Sequence, residues 1–478
     1  MQTERVVAGK SQHVHLVAVC GVGMAPLAVM LKQSGYTVSG SDKASYPPMG
    51  QVLADAGIEI LEGFSADHLD PLPDVVVIGN AVSASNPEAA EVERLGLPRL
   101  SFPEAVARYF LRDRRSLVVA GTHGKTTTTG MLARVLEVAG EDPGYLVGGL
   151  VRDLGGLARA GRTGAWFAIE GDEYDSAYFD KGPKFVHYQP AASIITSVEF
   201  DHADIYRDVE HVKSSFARLV ELLPEGAPLV VCGDYPHLLD LFGSSPRPGL
   251  TSYGCGDNNQ WRPAELEHGS AGSSFRPSLE GELGPRLQLR LHGSINVLNA
   301  LAVFVLSRQL GISDAAVAEA LAGYRGAARR QELVGSAAGV DVIDDFAHHP
   351  TAVAGSLAAM ADAYNGRKVW AVFEPRSNTS RRSVFQARYT EALALADRVV
   401  LSEVFHKEND TLAEGEALDT EAVVEELNST GTPAWQADGP DAILDRLPGE
   451  LRAGDVVLCM SNGAFGDLPR RLLAALGG

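Results

Sequence analysis

Between an apolar run at residues 117–120 and a stretch with apolar side chains at Met131, Leu132, Val135, Leu136 and Ala139 stands Gly121-Thr122-His123-Gly124-Lys125-Thr126-Thr127. Strand, glycine turn and helix in that order commit the chain to an α/β layer in which the turn leaves a buried strand and enters a helix N-terminus. Glycines let backbone N–H groups turn inward around phosphate oxygens, and the helix terminus adds partial positive charge. Lys125 would reach the terminal phosphates of a nucleoside triphosphate, and the Thr126 hydroxyl would ligate Mg²⁺. Val119 stands where the G-x-x-x-x-G-K-[ST] pattern has its first glycine, so the loop is a shortened form. A turn that merely caps a helix is the bland alternative; the order of elements favours the phosphate loop.

The same alternation runs through most of the 478 residues, a length that suggests three domains. Strands are expected at 13–20, 36–39, 75–78 and 99–102, with a helix at 24–34, forming a small parallel sheet that ends near Arg112. The charged stretch 111–115 reads as a linker. A second unit then carries strands at 116–120, 166–169, 192–197 and 228–232. Residues 254–284 are rich in Gly, Ser and charge and have no determined element type. The alternation at 287–291 suggests an antiparallel strand added to the second sheet. The third unit starts near Ala327 and carries strands at 340–343, 369–373, 398–401 and 456–460. The resulting division is 1–113, 114–326 and 327–478.

Mg²⁺ needs carboxylate as well as hydroxyl oxygen. The expected strand at 166–169 ends in Glu170-Gly171-Asp172-Glu173-Tyr174-Asp175, and the next ends in Glu199-Phe200-Asp201-His202. Acids at the carboxyl ends of neighbouring parallel strands sit where α/β sheets form their sites. In the first unit, Gly21-Val22-Gly23-Met24 stands between strand and helix, with Asp42 after the second strand. That spacing supports diphosphate and sugar recognition, which an NAD cofactor and a nucleotide-sugar substrate share.

Charge and cysteine usage narrow the classes further. Lys+Arg total 41 against 61 Asp+Glu, a net charge of -20, which argues against nucleic-acid or anionic-membrane partners. No apolar stretch approaches a membrane span, and residues 1–13 lack the apolar core of a signal peptide, so a cytoplasmic protein is expected. Cys20, Cys232, Cys255 and Cys459 form no C-x-x-C pair, which points to neither a disulfide framework nor a zinc site.

The chain resembles the Mur ligases from about residue 13 to 473. The resemblance rests on the loop at 121–128, Glu170, Glu199-Phe200-Asp201-His202-Ala203-Asp204, Asn296-Val297-Leu298-Asn299-Ala300, Arg329-Arg330 and Asp344-Asp345-Phe346-Ala347-His348-His349-Pro350. It implies an α/β fold of three domains: a Rossmann-like N-terminal domain, a central P-loop ATPase-like domain and a C-terminal Rossmann-like α/β domain. Further segments are similar to the branch of the family that joins L-alanyl-γ-D-glutamyl-meso-diaminopimelate to UDP-N-acetylmuramate in murein recycling. These are Tyr46-Pro47-Pro48-Met49, Gly79-Asn80-Ala81, Glu173-Tyr174-Asp175, Phe179-Asp180-Lys181, Lys184-Phe185-Val186-His187-Tyr188, Glu374-Pro375-Arg376-Ser377-Asn378-Thr379 and Met460-Ser461-Asn462-Gly463.

The resemblance implies that Gly21, Val22, Gly23, Met24, Asp42 and Asn80 hold the UDP-sugar. It implies that Gly121, Thr122, His123, Gly124, Lys125, Thr126, Thr127, Asn296, Asn299, Arg330 and Asp345 hold ATP. Thr126, Glu170 and His202 would bind Mg²⁺, with Lys125, Glu170 and His202 as the catalytic set. Arg376, Ser377, Asn378 and His348 would form the peptide pocket. Ile295 stands where close relatives often carry a His, and Lys213 lies off the spacing of the carbamylated lysine that some members use.

The expected chemistry is ATP-dependent amide synthesis through an acyl phosphate, with UDP-N-acetylmuramate, murein tripeptide and ATP as small-molecule partners. A monomer or weak homo-oligomer is expected, closing about the segment near Ala327. The readings weighed against it are addition of L-alanine, a nucleotide-sensing regulator that does not ligate, and an NAD-dependent oxidoreductase.

Overall fold

The computed structural model describes residues 11–45, 48–243, 247–406, 412 and 415–477. The expectations for residues 1–10 and for Tyr46-Pro47 lie outside the described residues. Among the described residues three large sheets and one small antiparallel ribbon, Asp175–Ala177 with Asp180–Pro183, organise the chain. The first is wholly parallel, in the order Ile60–Glu62, Thr37–Asp42, His13–Val17, Val75–Ile78, Arg99–Ser101. Val75–Ile78 is aliphatic on both faces, as a strand covered on both sides is, whereas the central His13–Val17 carries the buried His15, hydrogen-bonded to Ser39 and Glu88. The chain's switch from Thr37–Asp42 on one flank of His13–Val17 to Val75–Ile78 on the other opens a crevice at their carboxyl ends.

The second sheet has eleven strands. Its core is parallel, in the order Leu250–Tyr253, Leu229–Cys232, Ala192–Ile195, Arg115–Ala120, Trp166–Gly171, Gly144–Leu146. Arg115–Ala120 therefore lies between Ala192–Ile195 and Trp166–Gly171, so the turns after all three strands converge. Residues 254–284, undetermined in sequence, contain an antiparallel hairpin of Trp261–Gly269 and Gly272–Leu279. The expected added strand is present as Leu287–Leu289, antiparallel to Gly272–Leu279. Helices Lys125–Val138 and Ser294–Gln309 pack on this sheet, and Val297, Leu301, Phe304 and Val305 are buried.

The third sheet runs Glu332–Ala337, Val340–Asp345, Val456–Met460, Val369–Phe373, Arg398–Ser402, Ala434–Ala437, parallel except for its first, antiparallel strand. The linker expected at 111–115 is shorter in the structure: a helical turn, Ala107–Leu111, runs into it and the next strand already begins at Arg115. Near the second junction, Arg329 and Gln331 both have positive φ, 58° and 51°. Ala328 N–H donates to Leu150 O (2.8 Å), which ties the connector to the central unit.

Candidate functional site

The phosphate loop leaves Arg115–Ala120 and enters Lys125–Val138 through Gly124 at φ 81°. A Cβ at Gly121 would meet Thr196 Oγ1 at 2.2 Å, and one at Gly124 would meet Asn299 Oδ1 at 2.7 Å. Both positions exclude side chains so that the turn can lie against its neighbours. Lys125 Nζ donates to Gly121 O (2.6 Å) and to Glu173 Oε2 (2.9 Å), with Asp172 Oδ1 at 4.0 Å. Burial opposes its charge, but the Glu173 and Asp172 carboxylates outweigh burial and hold the ammonium well above the usual lysine range. Thr126 Oγ1 donates to Glu170 Oε2 at 3.1 Å. Burial and the neighbouring Asp172 raise the Glu170 carboxyl, opposed by Gly148 N–H and Arg330.

His202 stands at φ 50° after the neighbouring strand, with its Nε2 3.5 Å from Glu173 Oε1. Burial disfavours its charge, yet Glu173 and Asp201 push its pKa up to about 9. The acid that faces His202 is thus Glu173. Glu173 Oε1 is buried with no hydrogen-bond partner. This orphaned acceptor, the Thr126 hydroxyl and the Glu170 carboxylate are hard oxygen donors that fit Mg²⁺.

Asn296 and Asn299 are buried side by side, Asn299 Nδ2 donating to Asn296 Oδ1 at 3.4 Å. An apolar slot beside the loop is lined by Tyr235, Tyr253, Ile295 and Leu298, with Asn299 and His123 at its edge.

The third domain reaches into this site. Arg330 Nη2 donates to Thr126 Oγ1 (3.3 Å), and its guanidinium lies 4.8 Å from the Phe346 ring centroid. Asp345 accepts from Gln331 N–H (3.1 Å), Ala347 N–H (2.7 Å) and Ser356 Oγ (3.0 Å), so it fixes the strand-to-helix turn that carries Phe346 and His348. His348 Nδ1–H donates to Phe346 O at 3.0 Å, and burial drops its pKa to about 4. Asn378 Nδ2 donates to Asp204 Oδ2 (2.6 Å), and Thr379 Oγ1 donates to Asp201 Oδ1. The Ser377 hydroxyl is hydrogen-bonded to Ser380 Oγ within its own turn, 2.9 Å away. Arg376 lies over the Phe405 ring at 3.7 Å, with Glu374 Oε1 3.8 Å away. A Cβ at Gly463 would meet its Nε at 2.1 Å, so the turn after Val456–Met460 makes room for the guanidinium.

Three family descriptions match the chain in order: "Mur ligase family, catalytic domain" over residues 13–114, "Mur ligase middle domain" over 119–307, and "Mur ligase, glutamate ligase domain" over 329–463. The Escherichia coli UDP-N-acetylmuramate–L-alanyl-γ-D-glutamyl-meso-2,6-diaminoheptandioate ligase is 36% identical, covering 97% of this chain and 98% of its own. The chain belongs to the Mur ligase family. The crystal structure of a murein peptide ligase from Psychrobacter arcticus superposes with a TM-score of 0.72 at 31% identity, over 98% of this chain and 99% of that one. The UDP-N-acetylmuramate–alanine ligase of Thermotoga maritima superposes with a TM-score of 0.79 at 25% identity, over 97% and 98%. Mur ligases are ATP-dependent enzymes, so this chain is an ATP-dependent ligase.

In this Mur ligase the N-terminal residues form a grouping of their own. Asp42 Oδ2 accepts from Cys20 N–H and Oδ1 from Lys43 N–H, each at 2.8 Å, so its carboxylate shapes the loop before Gly21. Gly23 lies against Phe102, where a Cβ would stand 3.0 Å from the ring. Val22 and Asn80 are exposed, and Met24 is buried. Lys213 pairs with Glu210 and Asp240 (3.0 and 3.3 Å). Sequence reasoning missed Arg388; it quoted Thr379 only as the end of a similar segment and gave Thr379, Glu199 and Asp201 no partners. Asp201 and Thr379 stand 178 positions apart, beyond any local pattern.

Proposed function

We propose that this Mur ligase joins the tripeptide L-alanyl-γ-D-glutamyl-meso-diaminopimelate to UDP-N-acetylmuramate, at the expense of ATP, in murein recycling. The observation that carries the acceptor is the near full-length match to an enzyme whose name states that reaction. Supporting it is an arginine, Arg376, on the same third-domain turn as Asn378, since a guanidinium can grip a peptide carboxylate in bidentate fashion.

A carboxylate resists attack because the nucleophile must add to an anion and expel oxide. The lactyl carboxylate of the sugar therefore attacks the ATP γ-phosphorus, releasing ADP and forming an acyl phosphate. The peptide amine then attacks the acyl carbon, and phosphate leaves as the amide forms. Lys125 and the loop amides stabilise charge on the transferring phosphoryl group, and Arg330 adds a second cation from the third domain. Thr126, Glu170 and Glu173 would hold Mg²⁺, with His202 joining them once its proton is displaced, and the ion would supply further charge neutralisation. The adenine would lie against the slot of Tyr235, Tyr253, Ile295 and Leu298, which Asn299 lines, with Asn296 hydrogen-bonded to Asn299.

Gly21, Val22, Gly23, Met24, Asp42 and Asn80 form the UDP-sugar crevice at the carboxyl edge of the first sheet. The three sheets support unit boundaries near 113/114 and 326/327. Among the described residues no helix is long and apolar enough to cross a membrane, and we place the reaction in the cytoplasm. The deciding assay follows ADP release with UDP-N-acetylmuramate plus either the tripeptide or L-alanine. Turnover with the tripeptide and its loss in Lys125→Ala are expected; turnover with L-alanine alone would overturn the acceptor assignment.

A further inference from the structure

Glu199 links the phosphate loop to the third domain through both carboxylate oxygens. Oε2 accepts from His123 Nε2–H at 2.8 Å, inside the loop itself. Oε1 accepts from Thr351 Oγ1 at 3.0 Å and from Arg388 Nη2 at 2.9 Å, both in the third domain. Arg388 also donates to Thr351 Oγ1 at 2.8 Å, closing a triangle. The loop is laced to the same segment elsewhere. Thr122 N–H donates to Ser197 O (3.2 Å), Glu199 N–H to Thr122 Oγ1 (3.0 Å) and His123 N–H to Ser197 Oγ (2.8 Å). Any shift of Glu199 is therefore passed to the backbone of residues 122–123.

His123, Glu199 and His349 offer ligand atoms within 4.8 Å of one another, a spacing that would suit a metal. Proton bookkeeping argues for a hydrogen-bonded clasp. His349 Nδ1 accepts from Thr351 N–H (3.3 Å), so its proton resides on Nε2, which donates to Phe200 O (3.1 Å). Neither ring nitrogen has a free lone pair. The His349 ring packs 4.5 Å from the His123 ring and braces it from the third-domain side.

We propose that Arg388 and Thr351 are positioning residues for phosphoryl transfer, acting through Glu199 and His123 to hold the phosphate loop in its productive shape only when the third domain is docked. The inference rests on the ligase reading and assigns to that site a coupling between third-domain docking and the nucleotide loop. The central unit binds ATP without the clasp, and docking adds to that hold; the rate of acyl phosphate formation depends on the clasp far more than ATP affinity does. Arg388 touches no reacting atom in this account.

The test compares Arg388→Ala, Thr351→Val, Glu199→Gln and the double variant Arg388→Ala/Glu199→Gln by ADP release, on whichever amine supports turnover of the unaltered enzyme. Lack of tripeptide turnover in that enzyme defeats the acceptor assignment and leaves the clasp comparison intact. The Kd for a non-hydrolysable ATP analogue and the Tm are measured beside it. The expected result is kcat lowered roughly tenfold in each single variant, with nucleotide affinity falling by much less than kcat and Tm unchanged. The double variant should be no slower than Glu199→Gln alone, and Arg388→Lys, which keeps a donor, should recover most of the rate. An unchanged kcat in Arg388→Ala, an equal loss of nucleotide affinity, or multiplying effects in the double variant would each overturn the proposal. If Arg388→Ala melts early, Arg388→Gln takes its place in the same comparison.

Discussion

Gly121 shows how little tolerance the site has at the level of one atom. Its φ is 139°, and an added methyl would overlap Thr196 Oγ1 and stand 2.9 Å from Ser197 N. The obstruction includes backbone, which cannot swing aside. Gly121→Ala should lower stability by roughly 2 kcal/mol and weaken nucleotide affinity, because relieving the overlap moves the turn that presents the loop amides. Urea denaturation and calorimetric titration with an ATP analogue measure the two effects. Glu173 sets a second residue-scale balance, since it faces both Lys125 and His202. Burial works against the imidazolium, and Glu173 is the first of the groups that restore it. In ligand-free Glu173→Gln, the His202 pKa should fall from about 9 toward the ordinary histidine range, followed by NMR of the imidazole carbons. A retained high value would assign the shift to Asp201 instead.

At the scale of elements, helix Pro350–Ala363 has a histidine as its N-cap, an acceptor that works only when neutral. Burial, with His123 nearby, lowers the His349 pKa to about 3. The unfolded chain therefore binds this proton first, so the stability contribution is full above the unfolded pKa and is lost as pH falls toward the folded one. Between pH 6.5 and 5 the loss from His349 alone is about 1.5 kcal/mol. His349→Asn keeps a cap acceptor and removes the titration, so its Tm should fall less steeply over that interval than that of the unaltered protein.

This cap could not be read in advance, because a histidine before a proline carries no helix signal of its own. What was legible follows a physical rule. The strands Val75–Ile78, Val369–Phe373 and Val456–Met460 match the sequence reading residue for residue, since buried parallel strands are unbroken aliphatic runs. The edge strands Glu332–Ala337 and Ala434–Ala437, half-covered and mixed in character, gave no such run. In the site, the phosphate loop was readable because its chemistry is local. Arg388 was not, since its partner Glu199 lies 189 positions away and its own helix looks like any solvated one.

Across the whole molecule, the third domain docks on the central one mainly through polar contacts: Arg330 with Thr126, Arg388 with Glu199, Asn378 with Asp204 and Thr379 with Asp201. Apolar stacking is represented by Phe200 on Phe385, centroids 5.7 Å apart. An interface of this kind gains little from water release, so the docked arrangement needs another source of stability. The charge distribution indicates where it comes from. Burial lowers the Arg330 pKa, a measure of the cost of holding that cation out of water, while the nearby Glu170 and Asp345 offset it. In the proposed reaction triphosphate would lie between Lys125 and Arg330 and supply counter-charge that the undocked arrangement could not use equally, and only such a difference in affinity can shift the equilibrium. Small-angle X-ray scattering should therefore show a smaller radius of gyration when an ATP analogue, Mg²⁺ and UDP-N-acetylmuramate are all present than in their absence. Arg330→Ala should abolish the contraction while leaving the UDP-sugar bound. Identical profiles with and without ligands would mean that the polar contacts alone hold the domains together, and that the triphosphate meets a cleft already shut.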